Sequence, residues 1–441
     1  MAEPNEAGMK FGGSDFSPLE LEAIRRDFPI LQRIGRGGKP IVYLDASSTS
    51  QKPASVIAAE RQFYEQHNGA VHRNTHVLGD ESTQIFEDAR VQLASFVGAN
   101  RPEEIVWTKN ATEALNLVAY AIGNASVAPV GEYPDALKLK AGDKVVVTRV
   151  EHHANLVPWQ QLCHRTGATL DWLDLLPDGR LDLATLERID ARTKIVAFTH
   201  MSNVTGEITP VKTIVAAARA VGALVVLDAC QSSAHLPVNV QELGVDCAVF
   251  SSHKMLGPTG VGALWAKFAL LEAWPPFLTG GSVVADVSLE KTEFLPPPQK
   301  FEAGSQPIGQ IAGWAAALEY LRDLGMERVA AHERALSRRV LAGITQIPGV
   351  RLLGSTHSEN RAGIFAFVVE GVHPHDVGQV LDSHDVAVRV GHHCAIPLHK
   401  FFGVRSSSRA SLSVTTTVEE VERFLEALSQ VHTYFLGGKA R

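Results

Sequence analysis

The sequence predicts a doubly wound α/β domain followed by a smaller α+β domain. Between residues 105 and 266, short and nearly continuous apolar segments alternate with helical patterns, which is typical of a mostly parallel sheet covered on both faces. Three prolines at residues 296–298 interrupt the chain, and two long helical patterns and two strand-like segments follow them. Because ligands of such sheets bind at the carboxyl ends of the strands, we expect the functional site there.

Composition excludes several classes of protein. The chain has 441 residues, 45% hydrophobic and 20% charged, which suits a globular protein of two domains. A net charge of −7 without a basic stripe argues against a nucleic-acid partner. No apolar run approaches the ~20 residues of a membrane helix and no signal peptide is evident, so we expect no membrane partner and a cytoplasmic location. Four cysteines without a Cys-x-x-Cys pair predict neither a disulfide scaffold nor a metal site.

The elements can be taken in order along the chain. Residues 1–16 are predicted to be a loose tail, and Ser17 with Glu20 forms the capping pattern of a helix that runs to Asp27. A brief strand at residues 41–45 leads into a Ser/Thr turn, and the polar segment 69–76 forms either a solvated loop or the mouth of a site. Asn110 caps a helix over residues 114–122 that ends before Gly123.

The remaining elements follow from apolar periodicity. Strands are predicted at residues 105–108, 144–148, 169–173, 194–199, 224–227, 247–250 and 262–266, and helices near 159–165, 183–189 and 211–221. The last third holds helices at 308–324 and 327–347, strands at 363–369 and 386–390, and a helix from the cap Thr417 to about residue 435.

Four polar clusters stand directly after predicted strands, at residues 151–155, 200–203, 228–231 and 251–254. A single histidine in such a position is more often structural, but four equivalent clusters favour one shared crevice. Lys254 follows an apolar strand and precedes a Gly-Pro turn, so it is a candidate Schiff-base amine, with a water-facing loop lysine as the alternative.

Asp228 supports the more specific interpretation of Lys254. It closes an apolar strand about one βαβ unit earlier, where a carboxylate would keep the pyridine nitrogen of pyridoxal phosphate (PLP) protonated. The helix that starts after Asn110 could bind the phosphate through its backbone N–H groups, although a cap without a ligand remains the alternative. Together the two residues predict a PLP site.

With these residues in place, the sequence resembles the fold-type I PLP enzymes, and within the class V aminotransferase family the SufS-type cysteine desulfurases. The resemblance spans residues 19–436 and rests on motifs at 111–113, 151–155, 200–203, 228–231, 251–254, 301–304, 389–395 and 409–412. It implies a large domain with a mostly parallel seven-stranded sheet and a smaller α+β domain. The implied limits are 36–300 for the large domain, and 17–35 with 301–441 for the small domain.

The resemblance also implies a role for each cofactor-binding residue. Lys254 would bind PLP and move the α-proton of the substrate, and His152 would lie over the ring. Asp228 would pair with the ring nitrogen and Gln231 with the phenolic oxygen. Further residues would contact the cofactor, chiefly its phosphate: Thr112, Ser251, His253, Asn203, and Ser305 across a homodimer interface.

For the substrate, Arg409 matches the arginine that binds the carboxylate of L-cysteine, a bidentate task that suits arginine. Asn203, Arg389 and His72 would complete the substrate site. Cys394 stands in a short polar loop and would attack the substrate sulfur as a thiolate, forming a persulfide and releasing L-alanine. A buried structural cysteine is the ordinary alternative, which fits the other three cysteines better.

The resemblance therefore predicts a homodimeric cysteine desulfurase that supplies sulfur for iron–sulfur cluster assembly through a SufU-like or SufE-like acceptor protein. Selenocysteine lyase, or another class V lyase or aminotransferase, is the alternative within PLP chemistry. A non-catalytic partner in a sulfur-transfer complex is the alternative outside it.

Overall fold

The computed structural model describes residues 15–73, 75–357 and 359–436. Most of the predicted N-terminal tail, residues 1–14, lies outside this part of the chain. At its end, however, Phe16 is buried, and the guanidinium carbon of Arg328 lies 4.5 Å from its ring centroid. The tail therefore ends earlier than predicted, because its last aromatic side chain packs on the body of the protein.

The strands of the described residues form four sheets. Their bounds are β1 (Val42–Tyr43), β2 (Ile105–Thr108), β3 (Lys144–Thr148), β4 (Thr169–Leu173), β5 (Thr193–Thr199), β6 (Leu224–Asp228), β7 (Cys247–Ser251), β8 (Gly262–Ala266), β9 (Val284–Val287), β10 (Thr292–Phe294), β11 (Val350–Leu352), β12 (Ile364–Val369), β13 (Val386–Ala387), β14 (Arg389–Gly391) and β15 (Ser407–Ser411).

The α-helices of the same part of the chain are α1 (Pro18–Arg26), α2 (Ala54–Gln62), α3 (Val77–Val97), α4 (Ala111–Val127), α5 (Val157–Thr166), α6 (Val211–Ala220), α7 (Ser232–His235), α8 (Val240–Leu243), α9 (Phe268–Ala273), α10 (Ile308–Leu324), α11 (Met326–Ile344), α12 (Pro374–Ser383), α13 (Ile396–Phe401) and α14 (Val418–Leu436). None of them is long and apolar enough to cross a bilayer.

The predicted seven-stranded sheet is present. Its order is β2-β8-β7-β6-β5-β3-β4, and every neighbouring pair is parallel except those that involve β8. All residues of β3, β7 and β8 are buried, as expected for strands covered on both faces. The prediction of a mostly parallel α/β sheet is therefore confirmed.

The end of helix α4 was predicted wrongly. Helix α4 does not stop before Gly123 but continues to Val127. A Cβ atom at Gly123 would lie 3.3 Å from Leu162 Cδ1 and 3.2 Å from Arg165 Nη2. The glycine therefore lets α5 pack closely against α4, and it does not end the helix.

The second domain is built on the antiparallel sheet β11-β12-β15-β14, covered by α11, α12 and α14. Strand β1, from the N-terminal segment, pairs in parallel with β13. Helix α10 instead packs on α2 and α3, which belong to the core of the large sheet. The predicted domain limits remain a proposal, and this packing favours a boundary near Gly325 over one near residue 300.

Candidate active site

A cavity of about 250 Å³ opens at the carboxyl ends of the parallel strands. It is lined from the large domain by the ends of β5, β6 and β7 and the start of α4, and from the small domain by β14 and β15. All but two of the predicted site residues line it: Thr112, His152, Asn203, Asp228, Gln231, Ser251, His253, Lys254, Arg389, Cys394 and Arg409.

Lys254 is placed by the tight turn that follows β7. Strand β7 continues into a single 3₁₀ turn, Ser252–Lys254, and the His253 carbonyl accepts hydrogen bonds from the Ser50 N–H and hydroxyl groups, each at 2.9 Å. Gly257 is required here, since a Cβ atom would lie 2.1 Å from Ser252 Oγ. The lysine side chain is thereby held at the cavity wall.

Asp228 and His152 are two ionisable residues that line the cavity together with Lys254. Asp228 ends β6, is 5% exposed, and accepts a hydrogen bond from the Cys230 N–H at 3.0 Å. His152 Nδ1 accepts the Ala154 N–H at 3.0 Å. Burial and the nearby Lys254 ammonium lower the pKa of His152 to about 4. The His152 ring is therefore neutral at physiological pH.

The start of α4 forms the end of the cavity that suits a phosphate. Asn110 Oδ1 accepts the Glu113 N–H at 2.9 Å, and Ser251 Oγ accepts the Ala111 N–H at 3.0 Å. Thr112 and His253 stand beside this helix start, and burial lowers the pKa of His253 to about 4. A neutral imidazole, hydroxyl groups and a helix N-terminus are suitable donors for a phosphate.

Arg409 and Arg389 are directly opposite each other on β15 and β14. Arg409 Nη2 and Arg389 Nη1 both donate to Ser48 Oγ, at 2.7 and 2.8 Å, and Arg409 Nη1 donates to the Asn203 carbonyl at 2.8 Å. Burial lowers the pKa of Arg409 to about 10. Its Nε is buried without a hydrogen-bond partner among the described residues, so this cation can still bind a carboxylate.

Cys394 differs from the other three cysteines, because it is partly exposed while they are buried. It lies between β14 and α13, and its backbone has a φ of 56°, in the left-handed region. Its carbonyl accepts the His153 N–H at 2.7 Å, and its N–H points to His392 Nδ1 at 3.3 Å. The loop therefore places a thiol in the same cavity as Lys254.

Two predicted residues lie outside this cavity within one chain. His72 is on the surface, where Nε2 contacts Glu87 Oε1 at 3.0 Å. Ser305 is exposed beside a separate cavity of about 100 Å³ that Trp107 and Phe301 also line. Neither residue can contribute to the site of its own chain in this arrangement, and their predicted roles then depend on a second chain.

The sequence interpretation missed several residues that line the cavity or hold its arginines. Ser47 and Ser48 enter from the turn after β1, and Asp45 Oδ1 lies 3.3 Å from Arg409 Nη2. The run of hydroxyl residues after a short strand was the available signal. Thr199 and Cys230 also line the cavity, each inside or next to a predicted polar cluster.

The residues present fit PLP. An amine, a buried carboxylate and a helix start occur in one cavity, matching the aldehyde, the ring nitrogen and the phosphate. Gln231 Nε2 donates to the Ser47 carbonyl at 2.9 Å, whereas its buried Oε1 has no partner within the described parts of the chain. This orphaned polar atom is consistent with a polar ligand in the cavity.

Glu151 lies behind the cavity as a fully buried carboxyl group. It accepts hydrogen bonds from Asn155 Nδ2 at 2.6 Å and from the Thr199 N–H at 3.0 Å, and contacts Thr148 Oγ1. Burial raises its pKa to about 8, and the Asp228 charge adds to the increase. The folded protein therefore keeps a proton on Glu151 that the unfolded chain loses above its ordinary pKa of 4.5.

This difference predicts a pH-dependent stability. Between pH 4.5 and 8 only the folded state binds this proton, so the Glu151 contribution to the free energy of unfolding falls as pH rises, by up to about 1.4 kcal/mol per pH unit. In Glu151→Gln we expect this part of the slope to vanish. Urea unfolding of both proteins from pH 5 to 8 measures it, and identical slopes would contradict the assignment.

Known proteins of one family are similar to this chain over nearly its whole length. The sequence matches the aminotransferase class-V family over residues 42–424. It is 51% identical to "Probable cysteine desulfurase 2" of Mycobacterium leprae and 44% identical to "Probable cysteine desulfurase" of Streptomyces coelicolor, each over 95% of this chain and 98% of the relative. The apo structure of a cysteine desulfurase from Thermococcus onnurineus is similar with a TM-score of 0.85 and 37% identity, over 93% of this chain and 97% of that one.

Proposed function

The chain belongs to the aminotransferase class-V family, and we propose that it is a PLP-dependent cysteine desulfurase. In this proposal it converts L-cysteine to L-alanine and supplies sulfur for iron–sulfur cluster assembly. One observation carries the proposal: the Lys254 amine and the partly exposed Cys394 thiol line the same cavity. An amine alone would suit many PLP enzymes, whereas the thiol gives the substrate sulfur an acceptor.

The overall reaction is balanced by Cys394 alone. The C–S bond of cysteine breaks and an S–S bond forms, so that Cys394–SH and cysteine become Cys394–S–SH and alanine. The β-carbon keeps the bonding electron pair, takes a proton and is reduced to a methyl group. The two sulfur atoms are oxidised to the persulfide level, so no external oxidant is needed.

Each residue of the cavity has a task in this proposal. When bound, PLP supplies an electron sink beside the α-carbon of the substrate. Asp228 would hold a proton on the ring nitrogen, and the neutral His152 would contact the ring without adding charge. The Lys254 amine takes up and returns the α-proton as general base and acid. Arg409, with Arg389 and Asn203 beside it, binds the substrate carboxylate.

Arg409→Lys should weaken substrate binding more than PLP binding. A lysine cannot reproduce the fork that contacts Asn203, Ser48 and the carboxylate together, so we expect KM for L-cysteine to rise about 10- to 100-fold. Alanine formation at increasing cysteine concentration measures it. The exposed Arg405 offers a control, since Arg405→Lys should leave KM unchanged; an unchanged KM in Arg409→Lys would contradict the role.

The homodimer and the acceptor belong to the same proposal. We infer a homodimer because His72 and Ser305 lie away from the cavity of their own chain, so that a second chain could bring them to it. A SufU-like or SufE-like protein would then receive the Cys394 sulfur. A cytoplasmic location is consistent with four free thiols, since reducing compartments keep cysteines unpaired.

The decisive experiment measures alanine and protein-bound persulfide formed from L-cysteine, with and without SufU-like and SufE-like acceptors. We expect one persulfide per chain in the absence of acceptor and multiple turnovers with the correct one. Protein that binds PLP but forms no alanine would refute the proposal. A parallel assay with L-selenocysteine tests the alternative of a selenocysteine lyase.

A further inference from the structure

The loop that carries Cys394 has a backbone that needs external support. His393 and Cys394 have φ values of 50° and 56°, so two successive residues with side chains adopt the left-handed region. In this region the Cβ atom crowds the following carbonyl, and such residues persist only where their surroundings hold them. The direction of the Cys394 side chain therefore depends on what fixes this pair.

The large domain holds the loop by two contacts with its backbone. The His153 N–H donates to the Cys394 carbonyl at 2.7 Å, and Asn203 Nδ2 donates to the His393 carbonyl at 2.7 Å. Both contacts come from the polar clusters that follow β3 and β5. They fix one side of the loop and leave the other side to the small domain.

On that other side, a chain of buried side chains runs through Ser407. His399 Nδ1 lies 3.0 Å from the Ala395 carbonyl, which only accepts, so Nδ1 carries the proton. His399 Nε2 is then an acceptor in the neutral ring, and Ser407 Oγ donates to it at 2.9 Å. Ser407 Oγ in turn accepts from His393 Nε2 at 3.0 Å.

Burial supports this assignment, because it lowers the pKa of both histidines and keeps their rings neutral. This series of hydrogen bonds begins at His393 and ends at Ala395, which are the two neighbours of Cys394 in the sequence. It therefore spans the left-handed pair, from its first residue, His393, to the residue that follows it, Ala395. Ser407 is also on β15, two residues before Arg409, so one strand positions both this chain and the substrate-binding arginine.

We propose that Ser407 and His399 are positioning residues for Cys394, which clamp its two neighbours and keep its sulfur directed into the cavity. This inference rests on the proposed function. Without the clamp, the left-handed pair can relax toward the right-handed region and turn the thiol away from the substrate sulfur. The step that depends on Cys394 would slow, whereas proton movement at the α-carbon, which Lys254 performs, would not.

Ser407→Ala tests the clamp through two activities of the PLP-loaded protein. Alanine formation from L-cysteine needs Cys394, whereas exchange of the α-proton of L-alanine with solvent deuterium needs Lys254 and the rest of the PLP site but not Cys394. We expect alanine formation to fall about 10- to 100-fold, the effect of misplacing a reacting group by about 1 Å. The exchange rate should stay within about twofold of wild type.

Ser408→Ala is the matched control. Ser408 is equally buried on the same strand, but its hydroxyl donates to the Pro374 carbonyl at 3.3 Å and takes no part in the clamp. In Ser408→Ala, the ratio of alanine formation to α-proton exchange should equal that of wild type. His399→Phe should repeat the Ser407→Ala result if the serine variant does not fold, and His399→Asn, which keeps a donor for the Ala395 carbonyl, should lose less.

The outcomes separate the two proposals. If Ser407→Ala and His399→Phe keep the wild-type ratio of alanine formation to α-proton exchange, or lose both activities equally, the clamp is overturned. The proposed function is unaffected by that result, because it depends on the activity of the wild-type protein. Wild-type protein that exchanges the α-proton of alanine but forms no alanine from cysteine would overturn the proposed function, and the clamp with it.

Discussion

Lys254→Ala protein should lose PLP attachment and cysteine turnover together. The site offers this amine beside Asp228 and His152, at the end of a buried strand. Its loss removes both the covalent anchor and the group that moves the α-proton. We therefore expect alanine formation to fall by at least about 1,000-fold, within the range that a general acid–base group contributes.

Borohydride reduction gives a direct readout, because it converts a lysine-bound PLP into a stable amine. Mass spectrometry of the reduced wild-type protein should locate PLP on Lys254, and the variant should carry none there. Lys267→Ala is a suitable control, since Lys267 pairs with Asp246 away from the cavity. Visible absorbance and turnover that survive in Lys254→Ala would remove the assignment.

Cys394→Ser protein should bind PLP and L-cysteine but form almost no alanine. A serine hydroxyl keeps the size of the side chain but not the nucleophilicity of a thiolate, so the substrate sulfur has no acceptor. We expect alanine formation to fall at least about 100-fold. Exchange of the α-proton of L-alanine with solvent should continue, because Lys254 and Asp228 are intact.

The matched control for this substitution is Cys163→Ala, which removes a buried thiol in α5. It should retain persulfide formation, although the lost packing lowers stability. A Cys394→Ser variant that still forms alanine at the wild-type rate would refute the role of Cys394. Loss of α-proton exchange in the same variant would indicate damage to the PLP site and not to sulfur transfer.

The sequence predicted much of the large sheet, because local apolar patterns mark most of its strands. Strands β2, β3, β4 and β8 were predicted with their observed bounds. Strands β2, β3 and β8 are short, mostly apolar segments, which is the pattern of buried strands. Helix α3 was missed, and its described core face includes Ser82 and Arg90, which no apolar period reveals. The predicted end of α4 was wrong because Gly123 allows close packing against α5 and does not end the helix.

The cavity could be predicted in part for the same reason. Strand ends are local features, so the sequence alone indicates the clusters that hold His152, Asp228 and Lys254. Within the cluster at 200–203, however, Asn203 lines the cavity while the buried His200 does not. Spacing along the chain cannot distinguish them, because it does not specify which side chain of a turn faces the crevice.

By itself, the sequence determined the class of fold, the lysine and aspartate of the proposed cofactor site, and a cysteine in a polar loop. Only the tertiary structure decided that Ser48 joins Arg389 to Arg409, that His72 and Ser305 lie away from their own cavity, and that Ser407 and His399 clamp the neighbours of Cys394. The physical reason is the range of the interactions. Propensity and periodicity act over a few residues, whereas these contacts join separate structural elements, and the contacts of Ser48 also join the two domains.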